Sequence, residues 1–212
     1  METSIKNTFS KKVGILGGTF NPIHYGHLYL AENAMKKAEL DQILFIPSGV
    51  SYMKEQREVL PAFHRMEMTK LAILPYSKFQ VSSIEVERTG NSYSYETVLA
   101  LKSQYPDVKF FFLTGADTIF SMESWKKPAS IFHSVTILAA YRAGASLQQL
   151  KEQILYLEEK YGADIRLISD DHMDVSSSEI RDKIKRGISV HNLIPQAVAE
   201  YIEQHDLYRE FV

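Results

Sequence analysis

The chain has 212 residues, 45% of them hydrophobic, and a formal net charge of −2. The charge argues against broad nucleic-acid binding, and the absence of cysteine excludes a disulfide scaffold, a thiol nucleophile and a thiolate metal site. The polar start (METSIKNTFSKK) and the lack of an apolar run of bilayer length favour a cytoplasmic protein that does not enter a membrane.

Short apolar runs alternate with longer helical patterns along the chain. The apolar runs predict strands at 13–16, 42–46, 79–86, 108–113, 135–140 and 165–168. The helical patterns predict helices at about 25–38, 61–74, 94–105, 147–161, 177–186 and 195–205, and residues 47–60 predict a polar, irregular loop. This alternation predicts an α/β fold: a Rossmann-like, doubly wound, mainly parallel sheet with helices on both faces. We expect one domain over 1–212, with a small helical part from about 176.

Three loops of this predicted fold attract attention because ligands gather at the carboxyl ends of parallel strands. They follow Leu16, Leu113 and Ile168. Two of them contain, or lead to, residue patterns that are suited to binding phosphate.

The first loop reads GGTFNPIHYGH and is neither a G-x-G-x-x-G nor a Walker-type phosphate loop. Gly17 and Gly18 let a phosphate approach the main chain, and Thr19 adds a hydroxyl and an amide donor. His24 and His27 lie three residues apart at a helix start, where imidazoles and free N–H groups converge on negative charge. The pattern predicts a polyphosphate site. A His-x-x-His metal site is the alternative, although no third ligand is obvious nearby.

The stretch VSSSEIRDKIKRG follows the third loop and opens a predicted helix. Ser176 and Glu179 have the spacing of a capping box, so the amides of Ser177 and Ser178 would lie in the uncapped first turn. Arg181 is close enough to bend toward an anion bound there. An ordinary capped, basic surface helix is the alternative.

The two stretches together resemble known signatures. GGTFNPIHYGH resembles the His-x-Gly-His signature of the nucleotidylyltransferase superfamily, and its full form is similar to the bacterial nicotinate-mononucleotide adenylyltransferases. VSSSEIR resembles the second superfamily signature, a serine pair followed by an arginine. The resemblance extends from Val13 to Tyr208. It departs from the family at Asn21, where aspartate is frequent, and at 51–53, where Ser-Tyr-Met replaces Pro-Pro-His.

The resemblance implies roles for residues along the whole chain. It implies catalytic roles for His24, His27 and Arg181. It implies ATP contacts from Gly17, Gly18, Thr19, Phe20, Gly115, Asp117, Ser177 and Ser178. It implies mononucleotide contacts from Lys54, Tyr93, Ser94, Thr97, Trp125 and Arg142. Asn91 or Ser92 is the expected cap of the helix that follows.

The function implied by the resemblance is adenylyl transfer from ATP to nicotinate mononucleotide. Mg²⁺ would arrive on the ATP phosphates, and no protein side chain is expected to ligate a metal. The alternative acceptors are nicotinamide mononucleotide, phosphopantetheine and other small phosphates. Three other functions also remain open: a cytidylyltransferase, a non-catalytic nucleotide sensor and a His-x-x-His metallohydrolase. The sequence leaves the oligomeric state open, a homo-oligomer included.

Overall fold

A computed structural model describes residues 12–51, 59–141, 147–169 and 175–209. The strands within these ranges are β1 (Lys12–Gly18), β2 (Gln42–Pro47), β3 (Val50–Ser51), β4 (Phe79–Val81), β5 (Asn91–Ser92), β6 (Lys109–Gly115), β7 (Thr136–Tyr141) and β8 (Asp164–Ser169). Six of them form one parallel sheet in the order β4-β2-β1-β6-β7-β8, while β3 and β5 pair in parallel outside it. The predicted parallel sheet is confirmed.

Helices connect the strands of the sheet. They are α1 (Tyr25–Ala38), α2 (Ala62–Ile73), α3 (Ser94–Gln104), α4 (Ala116–Ser121), α5 (Pro128–Phe132), α6 (Leu147–Tyr161), α7 (Ser177–Lys185) and α8 (Gln196–Gln204). The long helices begin and end within about two residues of their predicted positions, whereas the short α4 and α5 were not predicted. None of the helices in the described ranges is long and apolar enough to cross a bilayer.

The hydrophobic core forms two layers, one on each face of the sheet. On β6, Phe111 and Leu113 point to the layer formed by α1, α2, α7 and α8, while Phe110 and Phe112 point to the layer formed by α3 to α6. Successive side chains of a strand face opposite sides, so a strand buried on both faces is apolar throughout. The predicted arrangement of helices on both faces is therefore confirmed.

Two stretches differ from their predicted structure. The strand predicted at 79–86 ends at Val81, because serine hydroxyls and turns replace the strand ladder: Ser82 Oγ accepts the Ile84 N–H, and Glu87 N–H donates to Ser83 O. The predicted irregular loop at 47–60 contains β3, whose partner β5 lies 41 positions along the chain. A two-residue strand of this kind has no periodicity that a sequence pattern can reveal.

The order of strands creates a crevice beside β1. From β1 the chain winds outward through β2 to β4, and from β6 it winds in the opposite direction through β7 to β8. The connections after β1 and β6 therefore leave on opposite faces, and neighbouring strands that behave in this way open a cleft at their carboxyl ends.

Candidate active site

Two adjoining cavities occupy this crevice. The first, of about 690 Å³, is bounded by the loop after β1 and by the start of α7; predicted site residues in its wall are Thr19, Phe20, His24, His27, Ser177, Ser178 and Arg181. The second, of about 360 Å³, lies over the ends of β1, β2 and β6; predicted site residues in its wall are Gly17, Gly18, Thr19, His27, Ser94, Thr97, Gly115 and Trp125. Thr19 and His27 line both cavities, so the two spaces meet beside these side chains.

His24 and His27 stack at the start of α1. His24 is the N-cap, and its ring lies 3.7 Å from that of His27 between centroids. The main-chain N–H of His24 donates to Nδ1 of His27 at 3.3 Å, which leaves the proton of a neutral His27 on Nε2. Burial of His24, which is 6% exposed, lowers its pKa to about 4. At neutral pH, His24 therefore offers a hydrogen-bonding imidazole and not a positive charge.

The ring of Phe20 packs against the ring of His27. Its ring is only 1% exposed and meets the His27 ring edge to face at 4.9 Å between centroids. A Cβ on Gly18 would lie 2.8 Å from the Phe20 ring, so this position requires glycine. The side chain of Phe20 therefore packs against His27 as well as lining the first cavity, and its predicted contact with ATP stays a prediction.

The start of α7 is joined directly to the first loop. Ser176 caps the helix by accepting the Glu179 N–H at 3.2 Å, as predicted. The hydroxyl of Ser177 donates to Pro22 O at 2.9 Å, and Nη1 of Arg181 donates to Asn21 O at 3.1 Å. These two bonds bring the histidine pair and Arg181 to the same cavity, although they lie more than 150 residues apart in sequence.

The cavity over β6 contains three of the six predicted acceptor residues, namely Ser94, Thr97 and Trp125. Gly17 and Gly115 have open space where a side chain would be, and Trp125 packs edge to face on Phe112 at 6.1 Å. Asp117 and Tyr93, both predicted to bind substrate, are not in the wall of either cavity. Asp117 is exposed on the first turn of α4.

The surroundings of Tyr93 also correct the predicted start of α3. Tyr93 itself is the N-cap, in place of the expected Asn91 or Ser92, and its ring lies 4.0 Å beneath the ammonium of Lys126. Ser92 is unavailable for capping because it is buried in β5 and its hydroxyl faces Glu85 O at 3.5 Å.

Thr97 is buried, and its hydroxyl is already hydrogen-bonded within the protein. Its hydroxyl donates to Glu85 Oε1 at 2.8 Å and accepts from Nη1 of Arg88 at 3.2 Å. Burial raises the pKa of Glu85, an effect that is opposed by its bonds from Thr97 and the Gly49 main chain and by the nearby charges of Arg88 and Arg65. Glu85 was not among the predicted site residues, although it lines the second cavity.

Arg65 on α2 was also not among the predicted site residues. It is 2% exposed, and its guanidinium donates to main-chain oxygens of Thr19, Gly49 and Leu60. Its one sequence signal was a charged residue on the apolar face of a predicted helix, which does not reveal its partners. Lys54 and Arg142 lie outside the described residues, and their predicted roles stay predictions.

No group of three or more His, Cys, Asp or Glu side chains in the described ranges is arranged to hold a metal ion. The His24–His27 pair therefore has no third side-chain ligand among those residues.

A family model described as cytidylyltransferase-like matches residues 15–183. The chain belongs to this family. Two curated relatives, from Lachnoclostridium phytofermentans and Clostridium botulinum (strain Alaska E43 / Type E3), are each 40% identical to it. They match over 93% and 94% of this chain and 99% of their own lengths. Both are named "probable nicotinate-nucleotide adenylyltransferase". The predicted family resemblance is confirmed.

Solved structures share the fold of this cytidylyltransferase-like chain. Nicotinic acid mononucleotide adenylyltransferase from Plasmodium falciparum matches with TM-scores of 0.75 in its complex with APC and 0.76 in its complex with NaAD. Each match covers 93% of this chain and 97% of the other, at 19% identity. The parallel sheet and its crevice are therefore the architecture of a cytidylyltransferase-like enzyme.

Proposed function

We propose that the chain transfers AMP from ATP to nicotinate mononucleotide, forming nicotinate adenine dinucleotide and releasing pyrophosphate. The observation that carries this proposal is the junction of the two cavities at Thr19 and His27. A triphosphate in the first cavity and a mononucleotide in the second would meet there. The name of the curated relatives, nicotinate-nucleotide adenylyltransferase, calls for an adenylyl donor and a nicotinate nucleotide as acceptor, which is one substrate for each cavity.

The first cavity has the chemistry of a triphosphate site. Arg181 supplies a permanent charge, the two imidazoles supply hydrogen bonds, and the start of α7 presents amide groups at the positive end of its dipole. The imidazoles come from the first loop and the start of α1, whereas the guanidinium and the amides come from α7. Their convergence stabilises the charge that develops on departing pyrophosphate.

The reaction needs no general base. A 5′-phosphate oxygen of the mononucleotide, which is already an anion, attacks the α-phosphorus of ATP. As the new P–O bond forms, the bond from the α-phosphorus to the oxygen that bridges it to the β-phosphate breaks. The electron pair of the broken bond leaves with pyrophosphate. Catalysis then comes from alignment and from charge stabilisation. His27 lies at the junction, where it can donate from Nε2 to the reacting phosphate.

A divalent cation fits the first cavity as a companion of ATP. The described wall offers imidazole, hydroxyl and guanidinium groups and no carboxylate, so Mg²⁺ would be held by phosphate oxygens and water. When bound, it supplies neutralisation of phosphate charge.

The second cavity suits a planar acceptor ring. Trp125 offers an aromatic face, Gly17 and Gly115 allow close approach of the main chain, and Ser94 adds a hydroxyl. Because Thr97 donates its hydroxyl proton to Glu85, we assign it to shaping the cavity and not to direct contact with the acceptor carboxylate.

A pyrophosphate-release assay tests the proposal. ATP and CTP are compared as donors, and nicotinate mononucleotide, nicotinamide mononucleotide and phosphopantetheine as acceptors. We expect the highest kcat/KM with ATP and nicotinate mononucleotide. A preference for CTP or phosphopantetheine, or no pyrophosphate with any pair, would disprove it.

A further inference from the structure

Both main-chain polar groups of Gly49, in the loop between β2 and β3, are held by buried charged side chains. The N–H of Gly49 donates to the carboxylate of Glu85, and its carbonyl accepts from Nη2 of Arg65 at 3.3 Å. A Cβ at this position would collide with the Glu85 carbonyl oxygen and lie 2.7 Å from Ser92 Oγ. The loop is therefore fixed between α2 on one side and the 82–92 segment on the other.

Each of the two charged residues also holds a different part of the crevice. Nη1 of Arg65 donates to Thr19 O at 2.8 Å, and Thr19 lines both cavities. Glu85 Oε1 accepts from the hydroxyl of Thr97, which lies in the first turn of α3 in the wall of the second cavity. A continuous set of hydrogen bonds thus runs from Thr19 through Arg65, Gly49 and Glu85 to Thr97.

We propose that Arg65 and Glu85 are positioning residues that set the separation of the triphosphate and acceptor cavities. They do so through their hydrogen bonds to the carbonyl and the N–H of Gly49. The proposal rests on the proposed function, since it assigns these residues to the alignment of its two substrates. Arg65 is not in the wall of either cavity, and the Glu85 carboxylate, which belongs to a residue in the wall of the second, is bonded to Thr97 and Gly49. The two charged residues act by holding Thr19 and Thr97 in place.

The burial of both charges supports a role that is more than packing. Arg65 is 2% exposed, and its pKa is lowered by burial, an effect that the nearby Glu85 opposes. A buried guanidinium bonded mainly to main-chain oxygens is expensive in desolvation, and its planar fork fixes several loops in one geometry. In-line transfer between two bound substrates is sensitive to displacements of about 1 Å, which can lower the rate by about 10²-fold.

A double-mutant cycle tests the proposal. Arg65→Lys keeps the charge but loses the fork, and Glu85→Gln keeps the shape but loses the charge. The controls are Arg166→Lys and Asp164→Asn. Arg166 donates to Asp164, and Asp164 also accepts a threonine hydroxyl, from Thr136, as Glu85 does from Thr97. This control pair lies on the edge strand β8, away from the two cavities. The readouts are kcat, KM for each substrate and the thermal unfolding midpoint.

We expect each single variant to lower kcat by about 10- to 100-fold while KM for each substrate changes by less than about 3-fold. The double variant should be no more than about 3-fold slower than the slower single variant, because both changes release the same residue. The control pair should change kcat by less than about 2-fold.

The proposal is overturned if the two losses in kcat multiply, if KM rises while kcat is kept, or if the controls lose as much activity. If Arg65→Lys does not fold, Glu85→Gln alone tests the proposal, and an unchanged kcat in Glu85→Gln overturns it. Failure of the proposed function is distinguishable, because the unsubstituted chain would then release no pyrophosphate, and the positioning role would fall with it.

Discussion

The phenol of Tyr208 donates a 2.9 Å hydrogen bond to Oδ1 of Asn21, although 187 positions separate the two residues. The same oxygen accepts the Leu60 N–H at 3.2 Å, and the main-chain oxygen of Asn21 accepts from Arg181. Burial raises the pKa of Tyr208, so it remains a proton donor. The last described residues of the chain thus hold the loop that leads to the histidine pair. The side-chain oxygen of Asn21 is therefore the acceptor that joins α2's leading loop and the C-terminal stretch to this loop, and an aspartate would offer the same acceptor.

Replacing Tyr208 with phenylalanine removes this bond and little else. We expect the free energy of unfolding to fall by about 1 kcal/mol, the usual loss for one buried hydrogen bond. Because the Asn21 loop would loosen, kcat/KM should fall by about 3- to 10-fold. Urea denaturation and steady-state pyrophosphate release measure the two effects. Tyr156→Phe, on the exposed face of α6, is the control; an equal loss of activity there would contradict the role given to Tyr208.

Replacing His27 with alanine should affect catalysis far more than stability. We expect kcat to fall by about 10²-fold or more, as for other donors that stabilise transition-state charge. Loss of the edge-to-face contact with Phe20 should lower the free energy of unfolding by only about 1 kcal/mol. His191→Ala, at an exposed position between α7 and α8, is the matched control. An intact fold with full activity in His27→Ala would refute the assignment.

Stability should fall in mild acid because His24 is buried without charge. Its pKa is about 4 in the folded chain and near 6.5 in the unfolded chain, so between these values the unfolded chain binds the additional proton. The contribution of neutral His24 to the free energy of unfolding is fully present above pH 6.5. It is lost as the pH falls toward 4, and the total loss is about 3 kcal/mol. Denaturant unfolding at pH 7.5, 5.5 and 4.5 measures it. His24→Gln should show a shallower pH dependence, and equal slopes for both proteins would count against the effect.

Replacing Trp125 with phenylalanine should weaken binding of the acceptor alone. Nε1 of Trp125 is buried and has no hydrogen-bond partner among the described residues, and the indole lines the second cavity. A smaller aromatic face should raise KM for the mononucleotide by about 3- to 10-fold, while KM for ATP stays the same. Competition kinetics with both substrates separate the two values. If KM for the mononucleotide does not change and only stability falls, Trp125 is a packing residue.

Much of the site was predictable because its signals are local. The strand, glycine turn and helix start around His24 follow one another within 15 residues, and the cap of α7 depends on Ser176 and Glu179 alone. Failures came where distant partners override local preference. Asn91 and Ser92 have good capping side chains, yet pairing with Val50 and Ser51 draws them into a strand and leaves the cap to Tyr93.

Apolar runs and helix periodicity are properties of neighbouring residues, and they were enough to predict the alternating α/β order and the parallel sheet. The two stretches predicted to bind phosphate were found from short local motifs, GGTFNPIHYGH and VSSSEIR. The enclosure of one cavity by both stretches is different, because Ser177 and Arg181 reach the first loop from more than 150 positions away. The same is true of Arg65, whose partners lie on three separate loops. A side chain's partners across the fold depend on how all elements pack, so contacts of this kind appear only when the chain is folded.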